Sequence, residues 1–153
     1  MTRLCTGLVL WCALGGLAGC PQIDGGAVEV AWIVRRSDNN AGACDHGWLS
    51  EQYHIDRIRL RVVPEGDPNL DLCDGVDRLS VCEFTCEDGG GATAFDIPPG
   101  TYFFDLVPLT ADGSTIPASV VALPAPLRRT IVEGDITDLG IWQVVILNDL
   151  SNE

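Results

Sequence analysis

The chain has 153 residues, with 22 acidic against nine basic side chains and a formal charge of −13 at neutral pH. That balance repels nucleic acid and anionic headgroups, so it excludes any partner held chiefly by phosphate contacts. Length and a 46% hydrophobic content suit one domain with its own core.

The chain begins with one basic residue, Arg3, and an apolar run over residues 4–14 that Gly15 and Gly16 break. The run is too short to span a bilayer and reads as a secretory signal peptide. It closes on Leu17-Ala18-Gly19-Cys20, which resembles the lipobox of bacterial lipoproteins. The resemblance implies cleavage before Cys20, a diacylglycerol thioether on its sulfur, and acylation of the new amino terminus, with palmitate as a typical chain. Small residues sit where a peptidase needs room, and the nucleophile sits at the cut. Pro21 follows, where an Asp is the usual inner-membrane retention signal, so the resemblance favours the outer membrane. The expected organisation is a signal over 1–19, a lipidated tether over 20–26, a β-sandwich over 27–148 and a polar tail over 149–153. Cleavage leaves 134 residues and, with Arg3 gone, a charge of −14.

In chain order, Val28, Val30, Trp32 and Val34 alternate with Glu29, Ala31, Ile33 and Arg35, which predicts a strand. Residues 37–47 are rich in Asp, Asn and Gly and predict a loop; residues 49–54 fit one helical turn. Ile58, Leu60 and Val62 alternate with Arg57, Arg59 and Arg61, and Pro64 ends that strand. Residues 65–77 form a polar excursion carrying five acids. Residues 79–86 predict a strand, 87–91 a turn with three consecutive glycines, and 93–97 a short strand. Residues 101–110, rich in aromatic and branched side chains, are a strong strand signal. Ala111-Asp112-Gly113-Ser114 predicts a hairpin turn, and residues 115–123 a returning strand that Pro117 marks as an edge or bulge. Pro124 and Pro126 set off a strand over 127–132, and residues 140–147 predict the last. The class is all-β: an antiparallel two-sheet sandwich of about seven to eight strands.

Ile97-Pro98-Pro99-Gly100-Thr101-Tyr102 resembles the chain reversal of transthyretin-like and carboxypeptidase-regulatory-like sandwiches. The resemblance spans about twenty residues. It implies a turn at the prolines and glycine and a tyrosine packed inside the next strand, and it bears on fold rather than function.

Cys5 and Cys12 leave with the signal and Cys20 is consumed by lipid, so Cys44, Cys73, Cys82 and Cys86 remain. An even count in an exported chain implies two disulfides. On an extended strand Cys82 and Cys86 stand about 13 Å apart, too far to bond. Of the two pairings left, Cys44–Cys86 with Cys73–Cys82 is favoured, because it closes the acidic excursion on itself. Zinc is the competing use of these cysteines, and a C-x-x-C pair is absent.

No catalytic constellation can be named. His46 and His54 are the only histidines, there is no G-x-S-x-G, and the expectation is a non-enzyme without cofactor. Asp67, Asp71, Asp74 and Asp77 are weak calcium candidates, since calcium wants six to eight oxygens and the EF-hand spacing fails. Arg57, Arg59 and Arg61 share one strand face and are weak candidates for an anionic ligand, against a face neutralised by neighbouring acids. Trp48 and Tyr53 can stack on a sugar or form a small cluster. Trp32 and Trp142 lie on strands and should be core or half-buried. The expected function is that of a non-catalytic, membrane-anchored envelope lipoprotein with a binding or structural role. The alternatives are a glycan- or anionic-ligand-binding module and a subunit of an envelope assembly that uses an exposed sheet edge. The expected partners are a membrane through the lipid and an envelope protein or glycan, with nucleic acid excluded.

Overall fold

A computed structural model describes residues 24–44, 54–74 and 79–147, which form eight strands in two four-stranded sheets. The strands are β1 (Ala27–Arg36), β2 (Arg57–Pro64), β3 (Glu83–Thr85), β4 (Gly90–Ala92), β5 (Gly100–Leu109), β6 (Val121–Ala122), β7 (Leu127–Ile131) and β8 (Ile136–Ile146). One sheet runs β4-β1-β8-β6 and the other β3-β2-β5-β7.

The two-residue period decides which side chains meet between the sheets. Val28, Val30 and Trp32 of β1 join Trp142, Val144 and Ile146 of β8 from one side. Ile58, Leu60 and Val62 of β2 join Tyr102, Phe104 and Leu106 of β5 from the other, in one buried cluster. Both tryptophans satisfy their indole N–H groups in this core: Trp32 donates to the Cys86 carbonyl at 2.8 Å and Trp142 to the Leu139 carbonyl at 3.1 Å. The Pro98-Pro99 turn reverses the chain into β5, and the buried Tyr102 hydroxyl donates back to the Pro98 carbonyl at 2.8 Å.

The sheets are not wholly antiparallel. β1 and β8 run parallel, with register from Ala27↔Ile136 to Arg36↔Ile146. Strands at opposite ends of a chain are not limited to hairpin geometry, so either direction is open to them. The pairing shifts register between Glu29 and Ala31, where Gly140 takes φ +75° and its N–H is held by the Asp138 carboxylate at 2.7 Å. This is a β-bulge that needs a glycine, and it explains why the sequence predicts a strand starting only at Gly140, whereas β8 begins at Ile136.

Other boundaries differ for local reasons. Of the strand expected over 79–86, only Glu83–Thr85 pairs; Cys86–Asp88 then winds into a 3₁₀ turn. Only Gly89 of the glycine run is a turn residue, at φ +67°. Gly90 and Gly91 belong to β4, where a Cβ on Gly91 would lie 2.2 Å from the Phe84 ring. Residues 93–97 are not a strand; only Ile97 bridges, to Gly26. Residues 115–123 reduce to a bridge at Thr115 and the two-residue β6, because Pro117 starts a turn closed by the Val120 and Val121 N–H groups. The helical turn expected over 49–54 lies outside the described residues except for His54.

Two disulfides, Cys44–Cys86 and Cys73–Cys82, close loops of 42 and 9 residues. All four cysteines are buried in the same core cluster. By loop-closure entropy the bonds stabilise by about 4 and about 3 kcal/mol respectively. The paired substitution Cys44→Ser with Cys86→Ser is therefore expected to lower the denaturant midpoint more than Cys73→Ser with Cys82→Ser. Equilibrium unfolding in urea checks the order.

Candidate functional site

The two outward faces of the sandwich differ in kind. On the outer face of the second sheet stands the arginine row of β2. Arg57 pairs with Glu83 and, at 3.3 Å, with Asp56. Arg59 lies 4.0 Å from Asp74. Arg61 meets Asp105 at 3.1 Å and Asp71 at 3.9 Å. Register places Asp105 directly opposite Arg61 on β5, whereas Arg59 and Arg57 stand opposite Val107 and Leu109 and take their carboxylates from Asp74, Asp56 and Glu83. Three guanidinium groups thus face five carboxylates. An incoming anion would have to displace carboxylates already in place, at a locally negative surface. Arg59 is the least well satisfied of the three, its buried Nε having no hydrogen-bond partner. Further along the same sheet Arg128 grips Glu65 through two hydrogen bonds of 2.7 and 3.0 Å, which holds the Glu65 carboxyl below its ordinary range.

The acidic excursion is sewn to β2. One carboxylate oxygen of Asp71 accepts from the Val62 N–H at 3.1 Å and from the Cys73 N–H at 3.0 Å. The Leu72 N–H returns a bond to the Val62 carbonyl at 2.9 Å, and the Leu60 N–H donates to Cys82 at 2.8 Å. The excursion therefore continues the edge that β3 begins and covers the backbone of β2. Asp67 caps its own turn by accepting from the Asn69 N–H at 3.1 Å. Asp74 lies beside Arg59 and is exposed. Among the described residues no three His, Cys, Asp or Glu side chains converge on a point that a metal ion would fill. Asp77, Trp48, Tyr53, His46 and Cys20 lie outside the described residues, and His54 is exposed.

The outer face of the first sheet carries an apolar patch instead, between the Glu29–Asp138 pair at one end and Arg35 at the other. Ala31 and Ile33 of β1 lie beside Ile141 and Gln143 of β8 in register, and Val145 stands beside Ala122 of β6. Ile141 is 72% exposed and Ile33 37%. Where β6 leaves β8 toward Pro124, the face dips into an open depression of about 410 Å³ lined by Ala122, Leu123, Pro124, Ile141, Gln143 and Val145. The sequence holds a signal for this face: the outward set of β1 contains Ala31 and Ile33, and residues 144–147 are apolar on both faces. Alternation alone assigns such residues to a core and does not mark them as exposed.

Two expectations follow from these contacts. Truncating Asp71→Ala strips two backbone N–H groups of their acceptor, and unsatisfied buried donors cost about 1–3 kcal/mol each. The variant is expected to lose stability equally with and without calcium, as thermal unfolding in calcium and in chelator will read. Asp105 supplies a pH dependence. Burial raises its carboxyl above the ordinary range, and Arg61 offsets this only in part. The folded chain therefore binds this proton more tightly than the unfolded chain, so ionisation costs stability. The cost is absent below the unfolded pKa and complete above the folded one. Asp105→Asn is expected to flatten the fall in stability as pH rises through that window, measured by denaturant unfolding at stepped pH.

No family model matches the sequence, and no curated protein matches it. Among solved structures, the crystal structure of BcpA, the major pilin subunit of Bacillus cereus, aligns with a TM-score of 0.39 and 15% identity. The alignment covers 82% of this chain and 30% of the pilin chain, so the chain spans under a third of that subunit's length.

Proposed function

We propose that this chain is an exported, lipid-anchored, non-catalytic protein of the bacterial envelope with a binding or structural role, held in the outer membrane. The observation that carries the reading is the signal segment ending in Leu17-Ala18-Gly19-Cys20, five residues before the first hydrogen-bonded residue of the sandwich, Gly25. Two disulfides buried in the core support an oxidising compartment. A lipidated cysteine with two or more acyl chains gives stable attachment, at about 0.8 kcal/mol per buried CH₂. The apolar patch on the outer face of the first sheet favours contact with another protein over capture of a charged ligand, because the arginine row is already matched by carboxylates.

Substituting Cys20→Ala tests the anchor. The expected outcome is an uncleaved precursor, longer by residues 1–19 and without acyl chains, read by intact mass. Normal cleavage with retention in the membrane fraction would overturn the reading.

A further inference from the structure

Two turns grip the chain where it enters β1. From one side the Gly26 N–H donates to the Ile97 carbonyl at 2.9 Å and the Ile97 N–H returns to Gly26 at 3.2 Å. From the other, the Gly134 N–H donates to Gly25 at 3.0 Å and the Ala27 N–H to Asp135 at 3.0 Å. The approach is too close for any side chain: a Cβ on Gly26 would lie 2.5 Å from both the Ile131 methyl and the Val132 carbonyl oxygen. The tether therefore leaves the sandwich between the Pro98-Pro99 turn and the 132–135 turn. Those turns present exposed apolar groups. Val132 is 52% exposed and Ile136 57%, and both prolines are exposed.

We propose that this end of the sandwich rests on a zwitterionic lipid surface, with Val132, Ile136, Pro98 and Pro99 in contact with it. The proposal builds on the lipid-anchor reading. Gly25 lies five Cα–Cα steps beyond Cys20, so a lipid on Cys20 keeps Gly25 within about 18 Å of the bilayer. Held so close, exposed apolar groups ringing the exit have a high effective concentration at the interface, and weak contacts suffice. The charges choose the headgroup. Asp24, Glu133 and Asp135 are exposed at the same end, and anionic headgroups repel them. The contact is end-on, because Glu29 and Asp138 lie side by side on the outer face of the first sheet above Ile136. They separate Ile136 from Ile141, which stands about 15 Å further up the strand.

Methyl spectra of the lipidated chain in nanodiscs test this directly. The discs are phosphatidylcholine carrying a nitroxide-labelled lipid, and the spectra cover the isoleucine and valine methyls. Ile136 and Val132 are expected to lose intensity several-fold relative to discs without nitroxide, while Ile33 and Ile141 keep theirs. A parallel sample couples residues 20–153 through the Cys20 sulfur to a maleimide lipid, so the contact is tested even if the cell does not acylate the chain. Missing acyl mass on the native protein sinks the anchor reading alone. Equal intensities at Ile136 and Ile141 in the coupled sample, or loss at Ile33 and Ile141 as well, overturn the end-on contact. So does stronger loss at Ile136 on phosphatidylglycerol discs at low salt than on phosphatidylcholine.

Discussion

The fold depends on a pairing between its first and last strands. β1 and β8 lie side by side at the centre of one sheet, parallel, and almost the whole chain lies between them in sequence. No short loop can bring them together, so the loop-closure entropy of nearly the entire domain is paid before this contact forms. What offsets that cost is the buried face the two strands share, from Val28 and Trp32 across to Trp142 and Val144. The bulge at Gly140 is part of the same constraint. It takes up one residue on β8 so that Val28 below it and Trp142 above it both point inward. The pairing also aligns the starts of both strands, which places the turn before β8 against the tether that enters β1.

Against this frame the charged residues serve largely to cover backbone and balance one another. A chain with so large a negative charge carries self-repulsion in its folded state. Placing the arginine row of β2 among Asp71, Glu83 and Asp105 returns part of that cost where the charges are half-buried and least screened by salt. Asp71 does more, because its carboxylate replaces the ladder partner that β2 lacks beyond the three residues of β3. Asp138 holds the bulge in the same way, and Asp67 its own turn. In each case a short acidic side chain satisfies a backbone N–H that the ladder or turn leaves open.

How far the sequence reveals this structure follows from the range of the forces involved. The long strands are legible because burying one face imposes a two-residue period on 28–34, 58–62 and 101–109, and the core uses those residues. Tyr102 is legible through its turn, since the Pro98-Pro99-Gly100 reversal and the hydroxyl that locks it lie within five residues. Spacing rules out one cysteine pairing, and closure of the acidic excursion on itself favours the observed one of the other two. What stays hidden is decided by distant partners. Gly91 reads as a turn residue until Phe84 is seen lying where its Cβ would go. Ile136–Leu139 reads as loop until β1 is seen beside it. The arginine row is legible as a charged face, whereas its five carboxylates come from four segments and meet only in the fold. The exposed Ile33 and Ile141 are the hardest case, because composition cannot separate an apolar residue that faces the core from one that faces water.

The contrast between the two outer faces bears on how such a domain would meet its surroundings. A charge-matched face gains little from a partner, since each ion pair it offers must first be broken and desolvated. An apolar face has no such cost, and every contact there removes hydrocarbon from water at about 25 cal/mol per Å². Ile141 and the depression beside it lie next to the stretch of β8 that β6 does not pair, so an approaching extended segment would meet apolar side chains and open backbone together. Natural sheets protect such edges, and this one does so only partly: β6 is two residues long, Pro124 and Pro126 turn the chain aside, and the bulge at Gly140 interrupts the ladder. These devices limit indiscriminate strand pairing, yet they leave Ile33 and Ile141 uncovered.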